Sequence, residues 1–379
     1  MSLAAASALL REAGIANPGR LPGLIRRTMA FLELDLSGLV ILTEAASGPY
    51  VVTPIIAALA GAARVLALTR SSRYGATDAV IAQTQALAEL CGVSVQTYGV
   101  ASLAGSGPRN SAAVEVWVDG LSRRPAELFA AADIITNLGF VRPLDAGAIG
   151  HMKPTTVVPL MCEAWEVRPG DVDLAACRQR GIPIIATNED YPGLEVFAYS
   201  GWLALKMLFD AQIEAHKSRL AVVSSDKFGP VIVERLRRAG ADVRLLPSLR
   251  DALTEELAEL DALIVADYTR PDLIIGLGGD VTAEAVTAAC AGATLIQFAG
   301  RVDVAGLTAN GMGVYPSVEL PPHRMACTLA ALGPRPVIEL HAAGLKVGEL
   351  AARARLAGRS LAELDEITLR GHLLGTRLA

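Results

Sequence analysis

Residues 219–246, RLAVVSSDKFGPVIVERLRRAGADVRLL, constrain the fold more than any other stretch. An apolar run, a polar turn, an amphipathic segment, an Ala-Gly stop and a second apolar run read as strand, turn, helix and strand. Such a unit needs two parallel strands joined by a crossover, which places the chain around it in an α/β sheet. Where the unit holds a dinucleotide, its turn reads G-x-G-x-x-G, so that the backbone can approach a pyrophosphate at the helix N-terminus. Here the three glycine positions are Ser224, Asp226 and Gly229. Only the last is glycine, and Asp226 would set a carboxylate against a diphosphate. The cofactor is therefore either lost or held in an altered way.

Bulk properties narrow the field. A chain of 379 residues is long for one core, and two domains are expected. The formal charge of −5 gives no basic footprint for nucleic acid. Hydrophobic residues make up 52% and aromatics 4%, so the core is aliphatic, as suits parallel strands buried between helices. Five dispersed cysteines without a C-x-x-C pair point to a reducing compartment, not to disulfides or structural zinc. The start, MSLAAASALLREAG, lacks a basic leader, and the longest uncharged run (45–63) is broken by Gly48-Pro49 and Thr53-Pro54. A soluble cytoplasmic protein with no membrane partner is the expectation.

The order of elements predicts two Rossmann-like, doubly wound parallel-sheet domains of the α/β class, joined by a long helix over 194–216. N-terminal helices occupy 1–35, a first Rossmann-like domain 36–205, a second 206–345 and a helical tail 346–379. First-block strands are expected over 38–43, 64–69, 93–98, 132–137, 155–161 and 182–186, with a loop over 103–113. Second-block strands are expected over 220–223, 243–246, 262–266, 294–298 and 337–340. The tail segments GELAARARLAG and SLAELDEI are amphipathic.

Within the second block, ALIVADYTRP, ATLIQFAGRVDVAGL, SVELPP and GPRPVIELHAAG follow one another in a familiar order. Together with the helix EVFAYSGWLALKMLFDAQIEAH they resemble the D-2-hydroxyacid dehydrogenases over roughly residues 170–345. The resemblance implies three catalytic roles. Arg301 would bind a substrate carboxylate, His341 would be the general acid/base at a strand end, and Glu319 would hold its imidazole. It also implies NAD or NADP as hydride donor, a small 2-oxo or 2-hydroxy acid as substrate and a homodimer. Two departures stand out. Arg301 lies only two residues before Asp303, and RLLPS supplies no acid at the end of the second strand to hold an adenine ribose.

The first block carries its own nucleotide signals. TEAASGPY (43–50) has roughly the spacing of the short-chain dehydrogenase turn, with Glu44 and Tyr50 where glycines belong and Gly48 retained. The next strand ends in LTRSSRYG, whose Arg70, Ser71 and Arg73 suit a 2′-phosphate of NADP. The cofactor-binding candidates are thus Gly48, Tyr50, Arg70, Ser71 and Arg73 in the first block, with Ser225 and Gly229 in the second. Further polar residues gather at expected strand ends: Asn137, Glu163, Trp165, Glu166, Arg168, Asn188, Glu189 and Asp190. Their carboxylates suit an amine-bearing or cationic ligand, although Asp171 and Glu189 also sit where helices are capped. Cys162 reads as a core residue, and His151 and His323 lack partners at metal-ligand spacing, so no metal site is assigned. Two functions remain open. One is a divergent NAD(P)-dependent oxidoreductase acting in an interdomain cleft. The other is a non-redox, metabolite-binding or -modifying protein on the same scaffold that has lost its dinucleotide.

Overall fold

The computed structural model describes residues 1–99, 113–118, 125–250, 257–368 and 374–379. Two compact units emerge, one of residues 1–196 and 333–379, the other of residues 197–332. The loop expected over 103–113 lies outside the described residues apart from Ala113.

Unit 1 opens with helices α1 (Leu3–Glu12) and α2 (Leu21–Phe31). Strands β1 (Val40–Glu44), β2 (Arg64–Thr69), β3 (Val95–Gly99), β4 (Val114–Val118) and β5 (Ile134–Ile135) form a wholly parallel sheet in the order β3-β4-β2-β1-β5. Helices α3 (Val52–Leu59) and α4 (Thr77–Cys91) make crossovers, and α5 (Ala126–Ala131), α6 (Ala146–His151) and α7 (Leu174–Arg180) follow. Strand β4 was not expected from the sequence. It is a five-residue apolar-rich run, VEVWV, beside the segment read as an insertion, and its Glu115 is buried by a bidentate pair with Arg64. Strands β6 (Val158–Pro159) and β7 (Ile184–Thr187) pair in parallel, and the bridge between Ile134 and Val157 joins them to the main sheet. Leu42, Leu66, Leu68, Trp117, Phe129 and Ile135 fill the core on one face.

Unit 2 begins with a short 3-10 turn and helix α8 (Tyr199–Asp210), twelve residues where a helix over 194–216 was expected. The strands are β8 (Arg219–Val223), β9 (Asp242–Leu246), β10 (Ala262–Ala266), β11 (Leu273–Ile275), β12 (Thr294–Ala299), β13 (Arg301–Val302) and β14 (Gly313–Tyr315). The main sheet is parallel, in the order β14-β12-β10-β8-β9, which is the 2-1-3-4-5 doubly wound arrangement. Burial explains the order. Strand β10 is buried along its whole length, whereas edge strand β9 exposes Asp242 and Arg244. Helix α9 (Phe228–Arg238) turns Phe228, Gly229, Ile232, Val233 and Leu236 inward and ends in Arg235, Arg237 and Arg238, cations that suit its C-terminal dipole. Helices α10 (Ala283–Ala289) and α11 (Val304–Ala309) complete the crossovers.

The chain then returns to unit 1 through α12 (Pro334–Leu356), α13 (Leu361–Thr368) and a final strand, Leu374–Arg377, antiparallel to β7. Here one expectation is corrected: residues 337–340 are not a strand but the first turns of α12. Pro334 and Pro336 occupy the helix start, where a missing N–H costs nothing. Gly344 lies within this helix, and a side chain there would collide with the Met161 sulfur, so the position requires glycine. The final strand was likewise read as helical tail. Among the described residues no helix is long and apolar enough to cross a membrane.

Candidate functional site

In an open parallel sheet, ligands bind beyond the carboxyl ends of the strands, where the strand order reverses. Unit 1 reverses between β1 and β5, and unit 2 between β8 and β10. At both reversals a carboxylate of this chain stands in the crevice.

In unit 1 that carboxylate is Glu44, the last residue of β1. It is 7% exposed, and its Oε2 accepts the Phe140 amide at 2.9 Å from the segment after β5. A Cβ at Gly139 would lie 2.8 Å from the same oxygen, so glycine there lets the backbone close on the acid. Burial pushes the Glu44 carboxyl up to about 7, against the Phe140 hydrogen bond, which favours the anion. Behind it Thr136 donates to Thr43 at 3.0 Å. Asn137 accepts the Met161 amide at 2.8 Å and holds the loop carrying Cys162. Burial raises the Cys162 thiol well above its usual value, and the charges of Glu166 and Glu189 add to the shift. Glu163 and Glu166 form a capping box around the turn 164–166, and Trp165 donates to Glu163 at 2.6 Å. Arg168 pairs with Asp171, which also holds Arg142. Asp173 caps α7, in place of the capping role considered for Asp171.

The structure gathers part of the expected first-block nucleotide loop. Gly48 donates its amide to Gln83 at 2.8 Å and adopts φ of 60°, a backbone shape that favours glycine. The Tyr50 ring lies 5.9 Å from that of His341. Ser71 accepts the Thr77 amide at the start of α4. Arg73 donates to the Tyr74 hydroxyl, and the Arg70 guanidinium stands 5.7 Å from the Phe140 ring. Arg70, Ser71 and Arg73 are all exposed.

His341 is placed differently from the expectation. No strand ends at it; it sits within α12 in unit 1, 3% exposed, its Nδ1 2.5 Å from the Thr53 hydroxyl. Burial lowers its pKa to about 4. Arg301 and Glu319 belong to unit 2. Arg301 lies on β13 and donates to the Pro271 carbonyl at 3.2 Å, Asp303 caps α11, and Glu319 is an exposed loop residue. The histidine that unit 2 does place near the carboxyl end of β10 is His323, whose Nδ1 is 3.0 Å from the Tyr268 carbonyl. In the sequence it is marked only by its place directly after Pro321-Pro322. Among the described residues no group of three or more His, Cys, Asp or Glu is placed to hold a metal.

The unit 2 turn decides how far a dinucleotide fits. Asp226 Oδ2 accepts the Tyr268 and Thr269 amides at 2.7 and 3.2 Å, and Oδ1 accepts the Phe228 amide at 2.9 Å. The Ser224 hydroxyl takes the Gly229 amide at 3.1 Å. Ser225 gives both its amide and its hydroxyl to Asp267 Oδ2, at 3.0 and 2.8 Å. Burial raises the Asp226 carboxyl, with the charge of Asp267 adding to it. Gly229 keeps the helix-packing role of the third glycine, since a Cβ would come within 2.8 Å of Leu245 and Ser224. Two carboxylates, with the Ser225, Phe228, Gly229, Tyr268 and Thr269 amides already engaged, do not fit a pyrophosphate.

No family model matches the chain, and no curated protein matches it. Similar solved structures include the A chain of dipicolinate synthase from Bacillus subtilis, 13% identical over 85% of this chain and 99% of that one, TM-score 0.49. NAD-dependent formate dehydrogenase from Staphylococcus aureus, in complex with NAD, is 12% identical over 62% and 83%, TM-score 0.38. D-2-hydroxyisocaproate dehydrogenase is 17% identical over 52% and 67%, TM-score 0.34. Two of these three structures are dehydrogenases by their own descriptions. At these scores the likeness carries nothing about chemistry, and the fold assignment rests on the strand order.

Proposed function

We propose that the chain binds and acts on a small amine-bearing or cationic metabolite at the strand ends of unit 1, with Glu44 as the proton-transfer group. One observation carries this reading: a buried glutamate stands at the strand reversal, its carboxyl shifted to about 7. Near neutral pH such a group is divided between acid and carboxylate and can both take and give a proton. Glu166 and Glu189, whose charges act on Cys162, supply negative potential for a cation. The reading is the non-redox one, supported by the unfavourable turn in unit 2 and by His341, which is buried on a helix with its ring bonded to Thr53.

A second reading keeps redox chemistry and is favoured by one feature, the exposed Arg70, Ser71 and Arg73 after β2, where a 2′-phosphate of NADP would be met. The two are separated by following melting temperature with small mono- and diamines, with NADH and with NADPH. The first reading expects an amine-dependent rise that Glu44→Gln removes and no response to either nucleotide. A rise with NADPH alone, abolished by Arg70→Ala, would establish the second reading instead.

A further inference from the structure

We propose that Asp226 is a built-in substitute for the pyrophosphate of a dinucleotide, closing the unit 2 strand reversal with the chain's own carboxylate. The inference rests on unit 2 alone and stands whatever ligand unit 1 takes.

A bound diphosphate would engage the first amides of α9 and the backbone beyond the neighbouring strand. Those donors are already engaged. The Phe228, Tyr268 and Thr269 amides point at Asp226, the Gly229 amide at Ser224, and the Ser225 amide at Asp267. The side chains complete one another. Ser224 donates to Asp226 Oδ1 at 3.1 Å, and Thr269 donates to Asp267 Oδ1 at 3.3 Å. Asp267 is fully buried, so a diphosphate would meet two carboxylates as well as an occupied cradle. The arrangement spans the reversal, tying the loop after β8 to the loop after β10, as a ligand's phosphates would. Substitution of glycines by Ser224 and Asp226 therefore did not leave a hole. It moved the anion from ligand to protein.

The test uses the full chain in an Arg70→Ala background, which removes any nucleotide held by the unit 1 loop. Calorimetric titrations with NADH and with inorganic pyrophosphate are compared for that protein and for the same protein carrying Ser224→Gly and Asp226→Gly. The parent is expected to show no saturable binding at millimolar concentration, and the glycine variant to bind at least tenfold more tightly. A folded glycine variant with no gain, or a parent that binds NADH as tightly as the variant, overturns the proposal. Should the glycine variant fail to fold, amide exchange of the parent decides. Protection at Phe228, Tyr268 and Thr269 unchanged by NADH supports the internal anion, and protection that rises with NADH overturns it.

Discussion

At the scale of single residues, Glu44 and His341 dominate the expected pH response of unit 1, with opposite signs. The folded Glu44 carboxyl titrates at about 7 against an ordinary 4.5. Its stabilising contribution is therefore complete below pH 4.5 and is lost as pH rises to about 7. His341 titrates at about 4 in the fold against 6.5. Its contribution is complete above pH 6.5 and is lost as pH falls to about 4. Each difference corresponds to about 3 kcal/mol at about 1.4 kcal/mol per pH unit. Between pH 4.5 and 6.5 the two slopes oppose and nearly cancel. Glu44→Gln should therefore expose the His341 slope alone, with stability rising from pH 4 to 6.5 and flat beyond. Urea midpoints measured across this range provide the check; a variant profile superimposed on the parent would show that Glu44 is not held protonated. A second residue-scale expectation concerns Asp280, whose side chain is 1% exposed between Arg270, Arg250 and Ser248 and is held at about 2 by the Arg270 guanidinium first of all. Asp280→Ala would strand Arg270 and should lower unit 2 stability by about 3 kcal/mol, read as a shift in denaturant midpoint.

At the scale of elements, α12 shows how close packing replaces propensity. A Cβ at Gly348 would lie 2.9 Å from both Ile134 and Pro159, on β5 and β6. Gly348→Ala would gain about 1 kcal/mol of helix propensity but lose about 1–3 kcal/mol to overpacking. A net fall in melting temperature is expected, and a rise would show that the β5–β6 surface yields freely. The same helix is where reading from sequence met its limit. PVIEL followed by small residues looks like a strand and a turn, yet the next sixteen residues continue the helix to Leu356. Gly344 and Gly348 are contact positions, and nothing local announces partners that lie at Ile134, Pro159 and Met161. Strand β4 is hard to read from sequence for another reason, being only five residues long and following directly on the polar stretch 103–113. By contrast, the unit 219–246 was legible throughout, because β8, α9 and β9 each carry their own periodicity and stop signals.

At the scale of the molecule, unit 2 is one continuous segment, whereas unit 1 is completed only when the chain returns at Gly333. Helix α12 buries Ile338, His341, Leu345 and Val347 in unit 1, donates from Lys346 to the Glu33 carbonyl and accepts the Asp35 amide on Glu349. Residues 197–332 produced alone should fold cooperatively, and residues 1–196 alone should not, as circular dichroism and thermal melting would report. A cooperative melt from residues 1–196 would mean that α12 is dispensable to the unit 1 core.

The sequence by itself determined the α/β class, the two parallel sheets and the altered turn at Ser224, Asp226 and Gly229, since these follow from local periodicity and from which residues stand where glycine is needed. It could also say that Asp226 opposes a diphosphate. Only the tertiary structure decided where that carboxylate goes, because its partners Tyr268 and Thr269 lie some 42 positions away, across a strand reversal set by hydrogen bonding between β8 and β10. The same holds for Glu44 and Phe140, and for His341 and Thr53. Burial and hydrogen-bond satisfaction are properties of the assembled sheet, and they turn a missing glycine into an internal anion.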